Sequence, residues 1–374
     1  MELEPPYSLG ARWIHPILSR PLEHHWINVA DGKVESISEK PAYQSTHSLG
    51  ENKIILPAVV NAHTHLELSQ LESPLEVPSR SMSDWVTALL AFRRSPAYNA
   101  VQGIQQAACQ PELLESTIAV ADIIPPTLEM ADSGLMAAKG APLWLPFIEL
   151  IGWRDNHEHF TNKQGTFPTR HTFGLSPHAP HTVCPTLLEQ ALNQNMPIAI
   201  HLAETLEELQ LLRHHTGPLL ERMRRADPEY NPQSVFIGKC PMDYLQLLSA
   251  APHTLVIHGN YLDDDELRFL AAHRETMSVV YCPRSHAYFR HTPYPLQKML
   301  AWGVRVLLGT DSLASVPNLN LVDEMQFILK NHPTIPAETI YHLGTWEGAS
   351  ALSLPEGFGT IQPGSPARFA ILET

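Results

Sequence analysis

The stretch Leu56-Pro57-Ala58-Val59-Val60-Asn61-Ala62-His63-Thr64-His65-Leu66-Glu67 ends an apolar run with two histidines that are one residue apart. Because side chains alternate along a β-strand, His63 and His65 point to the same side if this run is a strand. Imidazole is a common ligand for zinc and related ions, and two imidazoles on one rigid strand end lose little entropy when a metal binds. The alternative is two histidines with ordinary polar neighbours, since the chain has 21 histidines. The pair alone is weak support for a metal site.

The composition argues against nucleic acids and membranes as partners. The chain has 25 lysines and arginines against 39 aspartates and glutamates, and its formal net charge of -14 repels phosphate backbones and anionic lipids. The opening residues Met1-Glu2-Leu3-Glu4-Pro5-Pro6 lack the basic and apolar segments of a secretory leader, and no apolar stretch approaches the length of a membrane span. The sequence therefore predicts a cytoplasmic protein.

From about residue 56 onward, short apolar runs alternate with longer amphipathic stretches, which is typical of repeated β-α units. Strands are predicted at residues 59–65, 118–123, 143–150, 172–176, 198–201, 255–258, 278–282 and 304–309. Helices are predicted at residues 83–94, 111–115, 185–195, 205–215, 264–273 and 295–303, where proline in the first turn or a Ser or Asp cap fits a helix start. This order predicts an α/β fold, a (β/α)8 TIM barrel over residues 56–354.

The two ends of the chain have a different pattern. Residues 1–55 contain short alternating segments, and Asp31-Gly32 is a hairpin turn signal between two of them. Residues 355–374 are punctuated by glycine and proline and contain the apolar run Phe369-Ala370-Ile371-Leu372. We expect both ends to form one small β-sandwich-like subdomain that closes against the barrel.

Residues that can bind a metal or move a proton stand where predicted strands end. The fifth strand ends in His201-Leu202-Ala203-Glu204, the sixth in His258-Gly259-Asn260 and the eighth in Gly309-Thr310-Asp311-Ser312. In a barrel of this type the carboxyl ends of the strands form one face, and that face carries the catalytic groups. Together with the histidine pair of the first strand, these ends predict one active site.

With these motifs the chain resembles the amidohydrolase superfamily, in the branch of nucleoside and nucleobase deaminases and triazine chlorohydrolases. The resemblance implies that His63, His65, His201 and Asp311 hold one divalent metal ion, with zinc first and ferrous iron second. No lysine closes the fourth strand, so the carbamylated lysine of two-metal members is absent there. Three imidazoles and a carboxylate leave room for a water, whose pKa the metal lowers towards ~7.

The resemblance also implies how protons move. Glu204 is the proton shuttle between water, ring nitrogen and leaving group, and His258 orients and polarises the water. Asp311 is counted with these two as a catalytic residue. Taken alone, Glu204 is better explained as a solvated carboxylate at a helix start, which the helix dipole favours. Its place three residues after His201 favours the catalytic role.

Three residues that precede the sixth strand in the chain are predicted to contact the substrate: Glu67, Trp85 and His178. His178, in Ser176-Pro177-His178-Ala179-Pro180-His181, resembles a histidine that contacts the group under attack, whereas His181 stands where relatives often carry tyrosine and is equally explained as a surface residue. Glu67 would accept hydrogen bonds from sugar hydroxyls, or stand in a first helical turn. Trp85 would stack on a purine, or pack in the core.

Two further substrate contacts are predicted in Tyr281-Cys282-Pro283-Arg284-Ser285-His286, which follows the seventh strand and resembles a loop at the border of the pocket. Arg284 would bind a carboxylate or phosphate of the substrate, or pair with an acidic neighbour. His286 stands where related sequences frequently have asparagine, which indicates a different specificity.

The resulting prediction is an aminohydrolase, a hydrolase of non-peptide carbon–nitrogen bonds, that uses metal-bound hydroxide on a small molecule. The motifs around His63 and Arg284 are most similar to aminodeoxyfutalosine deaminases. An adenosine-like substrate is therefore expected: aminodeoxyfutalosine, S-adenosylhomocysteine or methylthioadenosine. A cyclic amide or imidazolone hydrolase or a chlorohydrolase would use the same metal site, and a non-catalytic binding barrel is a third alternative. The sequence leaves the oligomeric state open, with a homodimer as one option because relatives are often dimers.

Overall fold

Two β-sheets organise the chain, one rolled into a barrel and one formed by both ends of the chain. The computed structural model describes residues 4–77, 79–126, 128, 140–154 and 173–373. Within these ranges, no helix combines the length and the apolar character that crossing a bilayer requires.

The first six strands follow one another without a helix between them, whereas helices lie between most of the later strands. In chain order, the strands are β1 (Tyr7–Ile14), β2 (Leu22–Ala30), β3 (Lys33–Ser38), β4 (Thr46–Ser48), β5 (Lys53–Pro57), β6 (Val59–Thr64), β7 (Thr117–Ile124), β8 (Leu143–Leu150), β9 (Gly174–Pro177), β10 (Ile198–Leu202), β11 (Thr254–His258), β12 (Met277–Tyr281), β13 (Val306–Leu308) and β14 (Phe369–Glu373). Strands β6 to β13 form the barrel in sequential order, and all their pairings are parallel.

The barrel closes where its first and last strands meet. The backbone amides of Thr310 and Asp311, which follow β13, both donate to the carbonyl oxygen of His63 at 3.1 Å. The predicted (β/α)8 barrel is therefore confirmed. Each predicted strand is found within about three residues of its expected bounds, except that Thr172 of the predicted fourth strand lies outside the described residues.

The helices pack on the outside of the barrel and around its carboxyl face. They are α1 (Met82–Arg93), α2 (Ala100–Ala107), α3 (Pro111–Glu115), α4 (Pro185–Leu192), α5 (Leu206–His214), α6 (Pro218–Ala226), α7 (Pro232–Val235), α8 (Pro241–Leu248), α9 (Asp264–Ala272), α10 (Pro283–Tyr288), α11 (Leu296–Trp302), α12 (Leu321–Asn331), α13 (Ala337–Gly344) and α14 (Trp346–Ala351), with a single 3-10 turn at Leu66–Leu68. The six predicted helices are all present, whereas α2, α6 to α8, α10 and α12 to α14 were not predicted.

The second sheet unites both ends of the chain. Its strand order is β14-β5-β1-β2-β3, with β4 beside β1. The Asp31-Gly32 turn between β2 and β3 has both residues at positive φ, 49° and 71°, as a two-residue hairpin requires. The predicted apolar run at the chain end becomes β14, which pairs antiparallel with β5 directly before the barrel begins. The terminal sheet is thereby joined to the first barrel strand.

Candidate metal centre and active site

Three histidines converge at the carboxyl face of the barrel. One ring nitrogen each of His63, His65 and His201 lies within 4.8 Å of the others. Among the described residues, neither ring nitrogen of the fully buried His63 has a hydrogen-bond partner. The Nδ1 of His201 lies 3.0 Å from the carbonyl oxygen of His178, so this nitrogen carries the proton and Nε2 keeps a lone pair for a metal. An unpaired buried imidazole costs free energy, and a bound divalent ion would remove that cost.

Asp311 adds a carboxylate to this cluster. Its Oδ1 lies 3.8 Å from the Nε2 of His63 and 4.0 Å from the Nε2 of His65. Its Oδ2 accepts hydrogen bonds from the hydroxyls of Ser285 and Ser315, at 2.6 and 3.0 Å. Because the serines fix one oxygen, the other is held toward the histidines, as outer-shell partners hold a metal ligand.

The backbone departs from regular strand geometry at the positions that serve this site. Ala203, His258 and Asp311 have φ of 53°, 67° and 62°, a region that residues other than glycine seldom occupy. If side chains alternated regularly along β11, His258 would lie on the other face of the strand from Ile257, which packs in the cluster inside the barrel. The positive φ breaks that alternation, and such conformations concentrate at functional sites because the rest of the fold has to stabilise them.

Glu204 and His258 form a pair beside the metal cluster. The Oε1 of Glu204 lies 3.4 Å from the Nε2 of His258, and the two side chains are 18% and 4% exposed. Burial raises the pKa of Glu204 well above its usual value, and the nearby Asp311 and Glu208 raise it further. Burial lowers the pKa of His258 to about 3, so this imidazole is neutral at pH 7. A carboxyl group whose pKa is raised by burial suits general acid–base catalysis.

A second glutamate, which the sequence analysis did not select, holds the turn that carries Glu204. The two carboxylate oxygens of Glu208 accept hydrogen bonds from the amides of Ala203 and Glu204, each at 2.9 Å. Asn260 donates its side-chain amide to the carbonyl oxygen of Glu204 at 2.9 Å. The signal for Glu208 was present, since Thr205-Leu206-Glu207-Glu208 is a capping-box pattern at the start of α5.

His178 presents one defined nitrogen to the site. Its Nδ1 lies 2.8 Å from the hydroxyl of Thr182, and that hydroxyl donates to the carbonyl oxygen of Ala179 at 3.1 Å. The hydroxyl therefore accepts the Nδ1 proton, and the Nε2 of His178 carries a lone pair. Burial lowers the pKa of His178 to about 4, and the charge of Arg93 acts in the same direction. This histidine is thus a neutral hydrogen-bond acceptor toward the site at pH 7.

One cavity of about 420 Å³ opens onto the metal cluster, a volume in the range of small-molecule sites. The indole nitrogen of Trp85 donates to the carbonyl oxygen of Ala314 at 3.1 Å, which fixes the ring in the cavity wall. The predicted site residues that line this cavity are His65, Trp85, His178, His181, His201, Glu204, His258 and Asp311.

Two predicted substrate contacts lie outside the lining of this cavity. The carboxylate of Glu67 is buried and accepts hydrogen bonds from Arg93 and Tyr98, so its oxygens are already used within the protein. His286 packs its ring near Tyr281 and Tyr294, at 5.9 and 5.5 Å between ring centroids. In this arrangement, neither residue faces a ligand in the cavity. Glu67 stands instead in the short helical turn that the sequence analysis gave as its alternative.

Arg284 also lies outside the cavity lining, and the structure gives the second of its two predicted roles. Its Nε donates to the Oε1 of Glu324 at 2.7 Å, and Nη1 donates to the side chain of Asn318 at 2.9 Å. A further contact joins Nη1 to Asp323 at 3.3 Å. The guanidinium therefore connects α10 to the start of α12 and contacts no part of the cavity.

Sequence reasoning missed a buried carboxylate in the cavity wall. Glu149, the penultimate residue of β8, lines the cavity, and its Oε1 lies 4.0 Å from the Nε2 of His178. Burial raises the pKa of Glu149, and the charge of Arg93 opposes that shift. The available signal was a lone glutamate at the carboxyl end of an otherwise apolar predicted strand, which is where this fold carries functional side chains.

Comparison with known proteins places these residues in a family. The sequence pattern of the Amidohydrolase family matches residues 54–374. A 5-methylthioadenosine/S-adenosylhomocysteine deaminase of Halalkalibacterium halodurans is 27% identical, over 94% of this chain and 81% of the relative. An aminodeoxyfutalosine deaminase of Deinococcus radiodurans is 29% identical, over 75% of this chain and 69% of the relative.

Solved structures agree on the fold. The crystal structure of Helicobacter pylori aminofutalosine deaminase in complex with methylthio-coformycin superposes with a TM-score of 0.77 and 23% identity, over 98% of this chain and 92% of the other. The family match and the two deaminase relatives confirm the predicted class, a hydrolase of carbon–nitrogen bonds. The chain belongs to the amidohydrolase family.

Proposed function

We propose that this protein is a metal-dependent deaminase that hydrolyses the amino group from an adenosine-like nucleoside. The observation that carries the proposal is the joint position of three histidines and Asp311 beside Glu204 and His258, all of which except His63 line one cavity. A structural or binding barrel has no need for a buried acid–base pair next to an unpaired histidine cluster. The names of the curated relatives support an adenosine-like substrate.

His63, His65, His201 and Asp311 would hold the metal, which we propose to be zinc, with ferrous iron as the second choice. Nitrogen ligands with one carboxylate and an open position are typical of catalytic zinc. The chemistry that such an ion supplies is the activation of water at neutral pH.

Glu204 would move the protons of the reaction. Its carboxylate takes one proton from the attacking water and passes it to the ring nitrogen. It then takes the second proton from the added hydroxyl group and passes it to the amino group, which leaves as ammonia while the carbonyl group forms. The raised pKa of this buried carboxyl group suits both transfers. His258, neutral and 3.4 Å from Glu204, would orient the water, and His178 would accept a hydrogen bond from the substrate.

The test is ammonia release by metal-loaded protein from aminodeoxyfutalosine, S-adenosylhomocysteine, methylthioadenosine and adenosine. Guanine, cytosine and a cyclic ureide serve as comparison substrates. Release from an adenosine derivative that falls at least about 1,000-fold in Glu204→Gln supports the proposal, because the variant lacks the proton carrier. Glu275→Gln, an exposed carboxylate on the surface, is the matched control and keeps full activity.

Other products would point to the alternatives. Ring opening of the ureide without ammonia would indicate a cyclic amide or imidazolone hydrolase, and chloride release from a triazine would indicate a chlorohydrolase. No turnover of any substrate by fully loaded protein would favour a binding barrel. The cytoplasmic location and the domain bounds 1–55, 56–354 and 355–374 stay predictions, and the homodimer stays one option for the oligomeric state.

A further inference from the structure

A tyrosine behind the active site contacts the backbone of His258. The hydroxyl of Tyr294 donates a hydrogen bond to the carbonyl oxygen of His258 at 2.9 Å, and Tyr294 lies in the segment between α10 and α11. The side chain of Tyr294 is buried and lies outside the lining of the cavity. Tyr294 therefore reaches the site through the backbone of His258 and not through a ligand in the cavity.

This hydrogen bond lies where the regular pairing of the barrel sheet ends. The residue-by-residue pairing of β11 with β12 stops at Ile257 and Val280, one residue before His258. At His258 the φ angle of 67° turns the chain out of the strand, and the imidazole lies 3.4 Å from Glu204. A buried carbonyl group needs a hydrogen-bond partner, and the hydroxyl of Tyr294 provides one at this turn.

The ring of Tyr294 is fixed by its neighbours. It stacks on the ring of Tyr281, the last residue of β12, with 3.7 Å between the ring centroids and 9° between the planes. The ring of His286 packs against Tyr294 at 5.5 Å and 85°, so this histidine has a packing role although it lies outside the cavity lining. Pro293 and Pro295 flank the tyrosine and restrict the backbone on both sides of it. The hydroxyl is therefore held in one position.

The turn that begins at His258 also contacts the turn that carries Glu204. The amide of Gly259 donates to the carbonyl oxygen of Leu202 at 3.1 Å. The side chain of Asn260 donates to the carbonyl oxygen of Glu204 at 2.9 Å. A shift of the backbone at His258 would therefore change the position of the imidazole and strain the contacts that hold the neighbouring turn.

We propose that Tyr294 is a positioning residue, whose hydroxyl fixes the backbone of His258 and thereby the place of the His258 imidazole beside Glu204. The proposal rests on the deaminase function proposed above and on the role proposed there for His258. Without the hydroxyl, the carbonyl group of His258 loses its partner and the uncommon φ angle of this residue loses a support. Tyr294 does not line the cavity, so its loss lowers kcat and leaves KM nearly unchanged.

The first test uses Tyr294→Phe, which removes the hydroxyl and keeps the ring and its stack on Tyr281. The substrate is the nucleoside that releases ammonia fastest among the four named above. We expect kcat to fall about 10-fold or more and KM to stay within about twofold, because a small displacement of an oriented group slows the reaction strongly. The metal content should equal that of the unmodified protein. Unchanged kcat, loss of metal, or a rise in KM as large as the fall in kcat would overturn the proposal.

Tyr288→Phe is the matched control. The hydroxyl of Tyr288 also donates to a backbone carbonyl oxygen, that of Leu75, at 2.6 Å. Neither Tyr288 nor Leu75 lines the active-site cavity. The two substitutions remove the same chemical group, so we expect Tyr288→Phe to keep the kcat of the unmodified protein. An equal fall of kcat in both variants would contradict a specific role of Tyr294.

Hydrogen exchange separates this proposal from the deaminase function, because it needs no turnover. In metal-loaded protein, we expect the amides of residues 258–261 to exchange about 10-fold faster in Tyr294→Phe than in the unmodified protein, since one hydrogen bond that closes this turn is lost. Tyr288→Phe should leave their exchange unchanged.

Faster exchange that is confined to Tyr294→Phe supports the positioning role even if the unmodified protein releases no ammonia, in which case only the deaminase function fails. Unchanged exchange in Tyr294→Phe contradicts the positioning role, whatever the effect on kcat. Ammonia release by the unmodified protein supports the deaminase function independently of Tyr294.

Discussion

Glu208 shows how one buried carboxylate determines the position of a neighbouring residue, Glu204, through hydrogen bonds to the backbone. Its two oxygens accept hydrogen bonds from the amides of Ala203 and Glu204, so Glu208 fixes the backbone of the turn after β10. We expect Glu208→Gln to lower kcat about 10-fold or more, because the amide group of glutamine cannot accept both hydrogen bonds and charge assistance is lost. The measurement is kcat together with the metal content of the purified protein.

The metal content distinguishes positioning from a general loss of structure. Metal bound by Glu208→Gln is expected to equal that of the unmodified protein, since His201 lies in the strand before the turn. Unchanged kcat would contradict the assigned role, and loss of metal would show that the turn supports the ligands as well. The exposed residue Glu275 again supplies the matched control variant, Glu275→Gln.

His253 gives the protein a pH-dependent contribution to stability that is separate from catalysis. Burial lowers its pKa from 6.5 to about 4, with Arg305 adding to the shift. The unfolded chain therefore binds a proton in the window between pH 6.5 and about 4 that the folded chain does not, so the free energy of unfolding decreases as the pH falls through this window. The loss is at most about 3 kcal/mol.

Denaturant titrations at pH 7 and pH 4.5 measure this effect. Replacing His253 by glutamine, which does not titrate, should reduce the difference in unfolding free energy between the two pH values. His24→Gln, at an exposed position, should leave that difference as it is. An unaltered difference in His253→Gln would show that other groups carry the whole pH dependence.

At the scale of elements, the contact between β6 and β13 depends on a residue without a side chain. A Cβ atom on Gly309 would lie 2.9 Å from both the Cβ and the carbonyl oxygen of His63, which is closer than real Cβ contacts. We expect Gly309→Ala to lower the free energy of unfolding by about 2 kcal/mol or more and to weaken metal binding, because His63 has to shift. Chemical denaturation and metal analysis measure both effects.

Gly303 supplies the comparison for that substitution. No atom lies within 4 Å of a Cβ built at Gly303, but its φ is 83°, so Gly303→Ala carries only the backbone cost of about 1–2 kcal/mol. Its metal content should equal that of the unmodified protein. Metal loss in both variants would mean that the contact with His63 is not the cause.

The helices show where sequence patterns stop being informative. The predicted α1 and α9 begin after a capping residue, and both are found within one residue of the expected start. By contrast, α6 was missed although it has nine residues, as α9 has, and although Gly217-Pro218 offers proline at the first helical position. The side chains of Ser81 and Asp263 accept hydrogen bonds from the first turns of α1 and α9, whereas Gly217 before α6 has no side chain for this, so the start signal of α6 is weaker.

For the whole molecule, metal binding and folding should be linked. Among the residues that the structure describes, the buried nitrogens of His63 have no hydrogen-bond partner, and an ion that binds the folded chain stabilises it by mass action. We expect removal of metal with a chelator to lower Tm by several degrees and to abolish ammonia release. Zinc or ferrous iron added back should restore both, and the metal that restores more activity identifies the better cofactor.

A ligand variant makes this prediction specific. In His65→Asn the chelator should cause no further change in Tm, because one ligand of the site is already missing. A chelator effect of the same size in His65→Asn would mean that the ion stabilises the protein elsewhere. If the chelator removes the metal from the unmodified protein and Tm does not change, the metal site does not contribute to folding stability.

The sequence alone determined the barrel, the terminal sheet and the chemical groups at the strand ends. These follow from short-range rules: apolar runs of strand length, the Asp31-Gly32 turn, and the fact that parallel strands present their carboxyl ends on one face. The family resemblance added the roles proposed for Glu204 and His258. Each of these conclusions needs only neighbouring residues and the order of the elements.

Only the tertiary structure decided which side chains face the cavity. Arg284 and Glu67 have polar partners distant in sequence, Glu324 and Tyr98. These hydrogen bonds engage the guanidinium and the carboxylate that the sequence analysis had assigned to substrate binding. Conversely, Arg94 and Arg222 line the same cavity because α1 packs on α6. Charge pairing in a folded chain depends on distances in space of a few ångströms, which neighbouring residues along the chain do not fix.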